Sequence, residues 1–168
     1  CVATGSTHAE SSLPACCACS WPSSYPRPTR ALPSSRALYG SLGHYPRQDH
    51  PPDATRDIWD WDDSVYLGSI PEVAHTFNVV GNVNEHGLII AETTFGGLKM
   101  LDGHGTGAIM DYGSLIWVTL QRAKTAREAI HMMDELMQAH GYASDGESFS
   151  IADGDEVWLM EVIGKGEE

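Results

Sequence analysis

Three polar side chains suited to catalysis stand side by side in the segment GNVNEHGLIIAETTFGG, residues 81–97. Asn84 carries an amide, Glu85 a carboxylate and His86 an imidazole, and a glycine follows them. A backbone or carboxamide N–H held in a rigid turn donates to a developing negative charge without reorganising, which is the chemistry of an oxyanion hole. Asn84 is therefore a candidate oxyanion donor. The alternative is an asparagine that only accommodates a turn and caps local backbone groups.

The other acidic and basic groups of this segment have two readings each. His86 is either a base or a surface imidazole in a hairpin. Glu85 either binds an ammonium group or only adds to an acidic surface. Strand alternation places Glu92 on the same face as Ile90 and Thr94, which predicts a buried polar group near the site. We assign a catalytic role to none of Glu85, His86 and Glu92.

A thiol at the first position of the sequence is the candidate nucleophile. The α-amine of Cys1, with a reference pKa of about 8, would accept the thiol proton directly or through a water. Attack on a peptide carbonyl would give a tetrahedral oxyanion and then a thioester that water hydrolyses. The alternative is that Cys1 is merely where the sequence begins. Cys16, Cys17 and Cys19 would become candidates only if processing exposed them.

The cysteines of the segment CCAC, residues 16–19, fit a metal site poorly. Structural zinc sites use four tetrahedral ligands, usually as separated pairs, whereas two of these cysteines are adjacent. A disulfide framework is equally weak because every cysteine of the chain lies within residues 1–19. We therefore predict neither a metal nor an organic cofactor.

The elements that must position these groups follow from periodicity and turn residues. Two strands flank the polar corner, a pair of helices with one-sided apolar stripes follows, and two further strands surround the turn residues Asp153, Gly154 and Asp155. Thr125 with Glu128 predicts a capping box at the start of the second helix. The predicted strands cover residues 75–80, 88–94, 148–152 and 156–163, and the helices residues 111–124 and 125–140. This order predicts an α+β fold in which helices cover an antiparallel sheet.

Composition divides the chain into two parts and excludes some partners. Residues 1–36 hold a single acid, three arginines and all four cysteines, and they show no periodicity, so we predict a disordered or misread segment followed by a domain over residues 37–168. The net charge of −13 argues against nucleic acid, because phosphate contacts need Lys and Arg. No apolar run approaches the length of a membrane span, so we predict no membrane segment.

Four stretches of the second part carry a family resemblance. ALYGSL, YLGSIPEVAHTFNVVGNVNEHGLIIAETTFGG, DYGSLIWVTLQRAKTAREAI and GESFSIADGDEVWLMEVIGKG together resemble the C69 dipeptidases, which are N-terminal-nucleophile hydrolases. The resemblance covers about three-quarters of the chain, from Ala37 to Gly166. It implies an αββα sandwich, a mature amino-terminal cysteine, and hydrolysis of dipeptides without a cofactor. It also implies that the N-E-x-G turn lies beside the nucleophile and that Asn84 helps to form the oxyanion hole.

The start of the chain departs from the family pattern. Members begin with Cys-Thr, a short apolar strand and an Asp-Gly-Ser turn, whereas this sequence begins CVATGSTHAESSLPACCACSWPSS. We expect residues 1–36 to come from a frame error or a wrong gene start. Members are several hundred residues long, so we expect the chain to be an amino-terminal portion with an incomplete sandwich and little activity of its own.

Two other functions remain open beside the cysteine dipeptidase. One is an acyl-amide hydrolase of the same fold, acting on bile salts or penicillins. The other is a catalytically inactive fragment that serves, if at all, as an acidic interaction module. The expected partner is a dipeptide substrate, and the sequence leaves the oligomeric state and the compartment undetermined. An exported or periplasmic location is what the resemblance suggests for the full-length protein.

Overall fold

A seven-stranded antiparallel sheet forms the centre of the molecule in the computed structural model, which describes residues 2–6 and 43–165. The order of its strands is β1-β11-β10-β9-β8-β7-β2. Two further sheets of two strands each pair β3 with β6 and β4 with β5. The strands are β1 (Val2–Ser6), β2 (His44–Tyr45), β3 (Gln48–Asp49), β4 (Thr55–Trp59), β5 (Tyr66–Pro71), β6 (His75–Thr76), β7 (Val79–Val80), β8 (Val83–Asn84), β9 (Ile89–Gly96), β10 (Gly146–Ala152) and β11 (Val157–Val162).

Two α-helices pack on one face of this sheet. α1 spans Tyr112–Leu120 and α2 spans Ala126–His140, and a short 3-10 helix occupies Lys99–Leu101. Side chains of the covered face, among them Ile90, Phe149 and Met160, are fully buried and join the helices in one hydrophobic core. The helices together with antiparallel strands confirm the α+β class predicted from the sequence.

The opposite face of the sheet exposes apolar side chains. Val83, Ile89 and Leu159 are 40%, 42% and 42% exposed. They share this face because Val83 pairs with Ile89, and alternation along β10 and β11 brings Leu159 to the same side. The sheet is thus covered by helices on one side and open on the other. None of the described helices has the length and apolar character needed to cross a membrane.

Local signals in the sequence explain how these elements begin and end. The Thr125 side chain accepts a hydrogen bond from the Glu128 N–H, as predicted for the start of α2, and Gly141 ends this helix with a φ of 74°. Asp153 accepts hydrogen bonds from the N–H groups of Asp155 and Glu156 in the β10–β11 turn, at 2.8 and 3.0 Å. Both hairpin strands and both helices therefore lie close to their predicted ranges.

The strand predicted over residues 75–80 is instead two short strands, β6 and β7. The reason lies in the two residues between them. The Phe77 N–H donates to the Gln121 carbonyl at the end of α1, and the Asn78 N–H donates to the Glu85 carboxylate at 3.1 Å. Both donors are thereby removed from the ladder, and the chain passes from one sheet to another.

Candidate functional site

Cys1, the predicted nucleophile, lies outside the described residues, as do Cys16, Cys17 and Cys19. The described part of the chain begins at Val2, whose strand β1 lies at the edge of the central sheet beside β11. The register pairs Val2 with Glu161 and Ser6 with Val157. Residues near Val162 therefore mark the end of the sheet at which the described chain begins.

Asn84, the predicted oxyanion donor, is buried and its hydrogen bonds are used within the protein. Its side-chain amide donates to the Leu120 and Ala123 carbonyls at the end of α1, each at 2.8 Å. Its side-chain oxygen accepts the N–H groups of His86 and Leu88, at 3.0 and 3.1 Å. The backbone N–H of Asn84 donates to the Leu88 carbonyl. The side chain thus joins the turn after β8 to the end of α1.

The structure does not bring Val2 and Asn84 together. Asn84 belongs to β8, four strands from β1, which corresponds to roughly 19 Å across the sheet. The turn that follows Asn84 also lies at the sheet end marked by Ile89, Ala152 and Val157, whereas Val2 lies at the other end. The oxyanion role of Asn84 stays a prediction, and its described contacts are those of a turn anchor.

A different polar cluster lies at the sheet end nearest Val2. The register aligns Val162 of β11 with Glu147 of β10, and Glu147 with Thr94 of β9. Glu92 lies two residues before Thr94 on the same face, as strand alternation predicts. We call Glu92 and Glu147 the carboxyl pair.

The carboxyl pair accepts one hydroxyl group, and two of its buried oxygens have no partner outside the pair. Glu147 is 1% exposed, and the Thr94 hydroxyl donates to its Oε1 at 2.6 Å. The Oε2 atoms of Glu147 and Glu92 are both buried and accept no hydrogen bond from another described residue, and a hydrogen bond between the two carboxyl groups raises the pKa of Glu147. Buried polar atoms are rarely left this way, so unpartnered ones call for an explanation by strain, a ligand or a functional role.

A β-bulge lies next to Glu147. The register between β9 and β10 shifts between Gly146 and Glu147, so two residues of one strand face one residue of the other. Gly146 lies so close to the Gly96 carbonyl and the Phe95 ring that a Cβ there would overlap both, so only glycine allows this approach. Glu147 itself keeps the regular register, and strand alternation with Phe149 places it on the helix-covered face.

The carboxyl pair resists ionisation. Burial, and then the neighbouring Glu92 carboxylate and the charge of Asp145, raise the pKa of Glu147 to about 7, although the Thr94 hydrogen bond opposes the change. Two adjacent carboxyl groups repel when both are ionised, so the pair holds a proton that separate glutamates would lose. A carboxyl group with a pKa near neutrality is a frequent property of functional sites.

Residues 142–145 connect the carboxyl pair to the start of α1. The Tyr112 N–H donates to the Ser144 hydroxyl at 3.0 Å, and the Tyr142 hydroxyl donates to the Asp145 carbonyl at 2.9 Å. Asp111 caps α1 by accepting the Ser114 N–H at 3.1 Å. Burial raises the pKa of Asp111 to about 6. This side of the cluster therefore holds further acidic groups and no described basic partner for the carboxyl pair.

A pocket of about 510 Å³ adjoins the cluster. Tyr142 and Val162 line it. Both residues also neighbour Glu147, because the charge of Glu147 helps to raise the pKa of the Tyr142 phenol and the strand register pairs Val162 with Glu147. The rest of the lining comes from the glycine-rich loop before α1, the end of α2 and the residues after β11. The volume is in the range of small-molecule sites.

Replacing Glu147 with glutamine is expected to stabilise the protein at alkaline pH. Because the folded pKa is raised above 4.5, ionisation of Glu147 weakens folding as the pH rises from about 4.5 to 7. Glutamine carries no charge and keeps an acceptor for Thr94. Urea denaturation is expected to give Glu147→Gln a gain on the order of 1 to 3 kcal/mol at pH 8 and almost none at pH 4. An equal change at both pH values would contradict the burial of an ionisable group.

The remaining residues of the polar corner have local partners. Glu85 forms an ion pair with Arg47 at 2.6 Å, and the Arg47 hydrogen bond holds the pKa of Glu85 below its usual range. The His86 ring packs edge-on against Phe77 with centroids 4.5 Å apart. These contacts agree with a surface imidazole at position 86 and with an acidic surface residue at position 85.

One cluster among the described residues has donor atoms close enough for a metal ion. Asp102, His104 and Asp145 each offer one ligand atom within 4.8 Å of the others. The His104 ring is hydrogen-bonded to Asp102 at 2.5 Å. Burial lowers the pKa of His104, but the Asp102 hydrogen bond and charge outweigh it and raise the pKa overall. The ion pair of Asp102 and His104 by itself accounts for the proximity of these groups.

Comparison of the sequence with known proteins identifies a family. Among curated proteins, no match to the chain is found. The family model described as Peptidase family C69 matches residues 37–168, which include α1, α2 and all strands except β1. The matched residues include Asn84 and the carboxyl pair. With most of its length covered by this match, the chain belongs to peptidase family C69 and is by that membership a peptide hydrolase.

Proposed function

We propose that the protein is a dipeptidase that works through a thioester formed on the thiol of Cys1. The family match over residues 37–168 is the observation that carries the proposal. Its finer content, the cysteine nucleophile and the dipeptide substrate, comes from the resemblance and from the chemistry available to a cysteine that bears a free α-amine.

The reaction has two acyl-transfer steps. The α-amine of Cys1 takes the thiol proton, and the sulfur adds to the carbonyl carbon of the peptide bond. The tetrahedral oxyanion collapses, the C–N bond breaks, and the leaving amine takes the proton and departs as the second amino acid. Water then adds to the thioester, the C–S bond breaks, and the first amino acid is released with the thiol restored. Neither step consumes a cofactor.

The proposed nucleophile directly precedes β1 in the sequence. β1 joins the central sheet directly, and Val2 pairs with Glu161, one residue from the row that contains Val162 and Glu147. Binding of the substrate near this end of the sheet is therefore part of the proposal.

Asn84 enters the proposal as an oxyanion donor only on one condition. Its amide hydrogens are directed at Leu120 and Ala123, so donation to an oxyanion requires that one of these hydrogen bonds be exchanged. The strand order also separates its turn from β1. An N–H group nearer Val2 would serve an oxyanion with less rearrangement.

We further propose that the complete architecture is the αββα sandwich of N-terminal-nucleophile hydrolases. The support is the asymmetry of the central sheet, which has helices on one face and exposed apolar side chains on the other. An exposed apolar sheet face of this kind is typical of a surface that packs on another layer.

Hydrolysis assays with trapping of the acyl-enzyme test the proposed function. Dipeptides and acyl amides are incubated in separate panels with the protein, with Cys1→Ala and with the matched control Cys17→Ala. We expect slow dipeptide turnover, in keeping with the little activity expected of this chain, and a mass increase of one aminoacyl group on Cys1, both lost in Cys1→Ala and retained in Cys17→Ala. Turnover of acyl amides alone would favour the other hydrolase of this fold. No turnover of either panel would favour the inactive fragment.

A further inference from the structure

The carboxyl pair links β9 to β10 through side chains. Glu147 of β10 pairs with Thr94 of β9 in the strand register. Glu92 lies two residues before Thr94, so it is the diagonal neighbour of Glu147 on the helix-covered face. Diagonal neighbours are about 7 to 8 Å apart, which long side chains can span. The two carboxyl groups are hydrogen-bonded to each other and thereby add a cross-strand link to the backbone ladder.

A hydrogen bond between two carboxyl groups requires a proton. An ionised carboxylate only accepts hydrogen bonds, whereas a protonated carboxyl group also donates through its O–H. If both groups were ionised, the hydrogen bond would be lost and the two charges would repel each other. The link between Glu92 and Glu147 therefore exists only while the pair holds a proton.

The groups that face the pair offer no positive charge to replace this proton. Asp145 precedes β10 and adds a negative charge. The phenols of Tyr142 and Tyr112 stay neutral, because burial raises the pKa of both. Within residues 43–165, the ion pairs of Lys, Arg and His side chains involve other acids than the pair. Loss of the proton would thus leave buried negative charge without a cation, which is costly.

The backbone beside the pair is held less firmly than the centre of the sheet. The bulge between Gly146 and Glu147 interrupts the ladder of β9 and β10. At the end of β9, Gly96 has a φ of 69°, and the flanking Phe95 and Leu98 are 46% and 67% exposed. Segments with few buried apolar contacts open at low free energy. The carboxyl pair lies at the boundary between this end and the buried core.

We propose that the carboxyl pair is a proton-dependent clasp, which holds residues 92–97 against residues 143–147 while Glu92 and Glu147 share a proton and releases them when the proton is lost. Opening would also alter the adjoining pocket, because Tyr142 and Val162 line it and both neighbour Glu147. The clasp is thus a pH-sensitive device of the fold. It does not depend on the proposed function, since it needs only the two strands and the buried pair.

The clasp is expected to weaken as the pH rises. Burial, and then the hydrogen bond and charge of Glu92, raise the pKa of Glu147 to about 7 in the closed form. Separation of the strands would return this carboxyl group to its ordinary pKa of 4.5, so opening releases a proton between these two values. The shared proton therefore contributes fully below pH 4.5, and its contribution is lost progressively up to about pH 7.

Amide hydrogen exchange followed by mass spectrometry tests the clasp. Protection factors, corrected for the intrinsic pH dependence of exchange, are measured at pH 5 and 8 with a chelator present throughout. The proteins are the parent, Glu147→Gln and the matched control Glu161→Gln, which changes an exposed glutamate of β11. In the parent and the control, we expect protection of residues 92–97 and 143–147 to fall by about 10- to 100-fold between the two pH values and below that of α2. In Glu147→Gln we expect little change.

Three results would overturn the clasp. They are protection in the parent that does not depend on pH, an undiminished dependence in Glu147→Gln, and exchange of both segments together with α2 at pH 8, which would mean that they open only by global unfolding. Glu92→Gln provides a second variant, because its amide donates to ionised Glu147 without a shared proton. We expect it to reduce the pH dependence, and a dependence as large as in the parent would also contradict the clasp.

Discussion

Replacing Asn84 with alanine is expected to lower the free energy of unfolding by about 4 kcal/mol, a substantial part of the roughly 5 to 15 kcal/mol of a typical domain. The substitution removes four hydrogen bonds in a buried position. The N–H groups of His86 and Leu88 and the carbonyls of Leu120 and Ala123 would all lose a partner. Urea denaturation followed by circular dichroism measures the change.

Asn82 provides a matched control two residues away. It is exposed, and its side chain makes a single hydrogen bond, to the Ile90 carbonyl at 2.6 Å. We expect Asn82→Ala to cost about 1 kcal/mol. Similar losses for the two variants would mean that Asn84 does not anchor the turn to α1.

An aspartate at position 84 separates anchoring from oxyanion chemistry. Asn84→Asp keeps an acceptor for His86 and Leu88 but replaces two donors with an oxygen that faces the Leu120 and Ala123 carbonyls. We expect a loss of stability close to that of Asn84→Ala. A variant that folds normally and loses only turnover, with substrate affinity unchanged, would support the oxyanion role.

The local elements of the fold are predictable because their signals lie within a few residues. Thr125, Glu128 and Gly141 specify where α2 begins and ends, and Asp153 supplies the turn between β10 and β11. The predicted strand over residues 75–80 was wrong at its centre for a tertiary reason. The Phe77 N–H is taken by the carbonyl of Gln121, which is distant in sequence, and the Asn78 N–H by the carboxylate of Glu85, seven residues away in the polar corner. The residues of the predicted strand contain neither partner.

The candidate site was predictable only in part. Alternation along β9 correctly gave the face of Glu92, and the polar corner was correctly read as a turn. Glu147 was missed because its neighbours depend on the pairing of β9 with β10, which are separated by two helices. The one local hint was an acidic residue before the alternating segment SFSIA, at a position where a buried side chain would be apolar.

Replacing Glu72 with alanine is expected to destabilise the protein by about 3 to 5 kcal/mol, because it leaves two largely buried guanidinium groups without a carboxylate to balance their charge. The Glu72 side chain is 3% exposed, with Arg56 at 2.5 Å and Arg122 at 2.9 Å. Arg56 also donates to Gln121, so the network ties the β4–β5 hairpin to the end of α1. Urea denaturation at pH 7 measures the loss, and Glu85→Ala, which breaks the exposed ion pair with Arg47, is the control with a much smaller effect.

The effect of Glu72→Ala is expected to shrink in acid. Burial tends to raise the pKa of Glu72, but the charge and hydrogen bond of Arg56, the Val73 N–H and the charge of Arg122 outweigh it and lower the pKa below the ordinary 4.5. The ionised carboxylate therefore stabilises the fold above pH 4.5, and this contribution is lost as the pH falls through the folded pKa. Denaturation at pH 7, 5 and 3 should give a difference between parent and variant that is constant at the first two values and smaller at the third. A difference that persists unchanged at pH 3 would mean that packing of the side chain, rather than its charge, holds the hairpin against the helix.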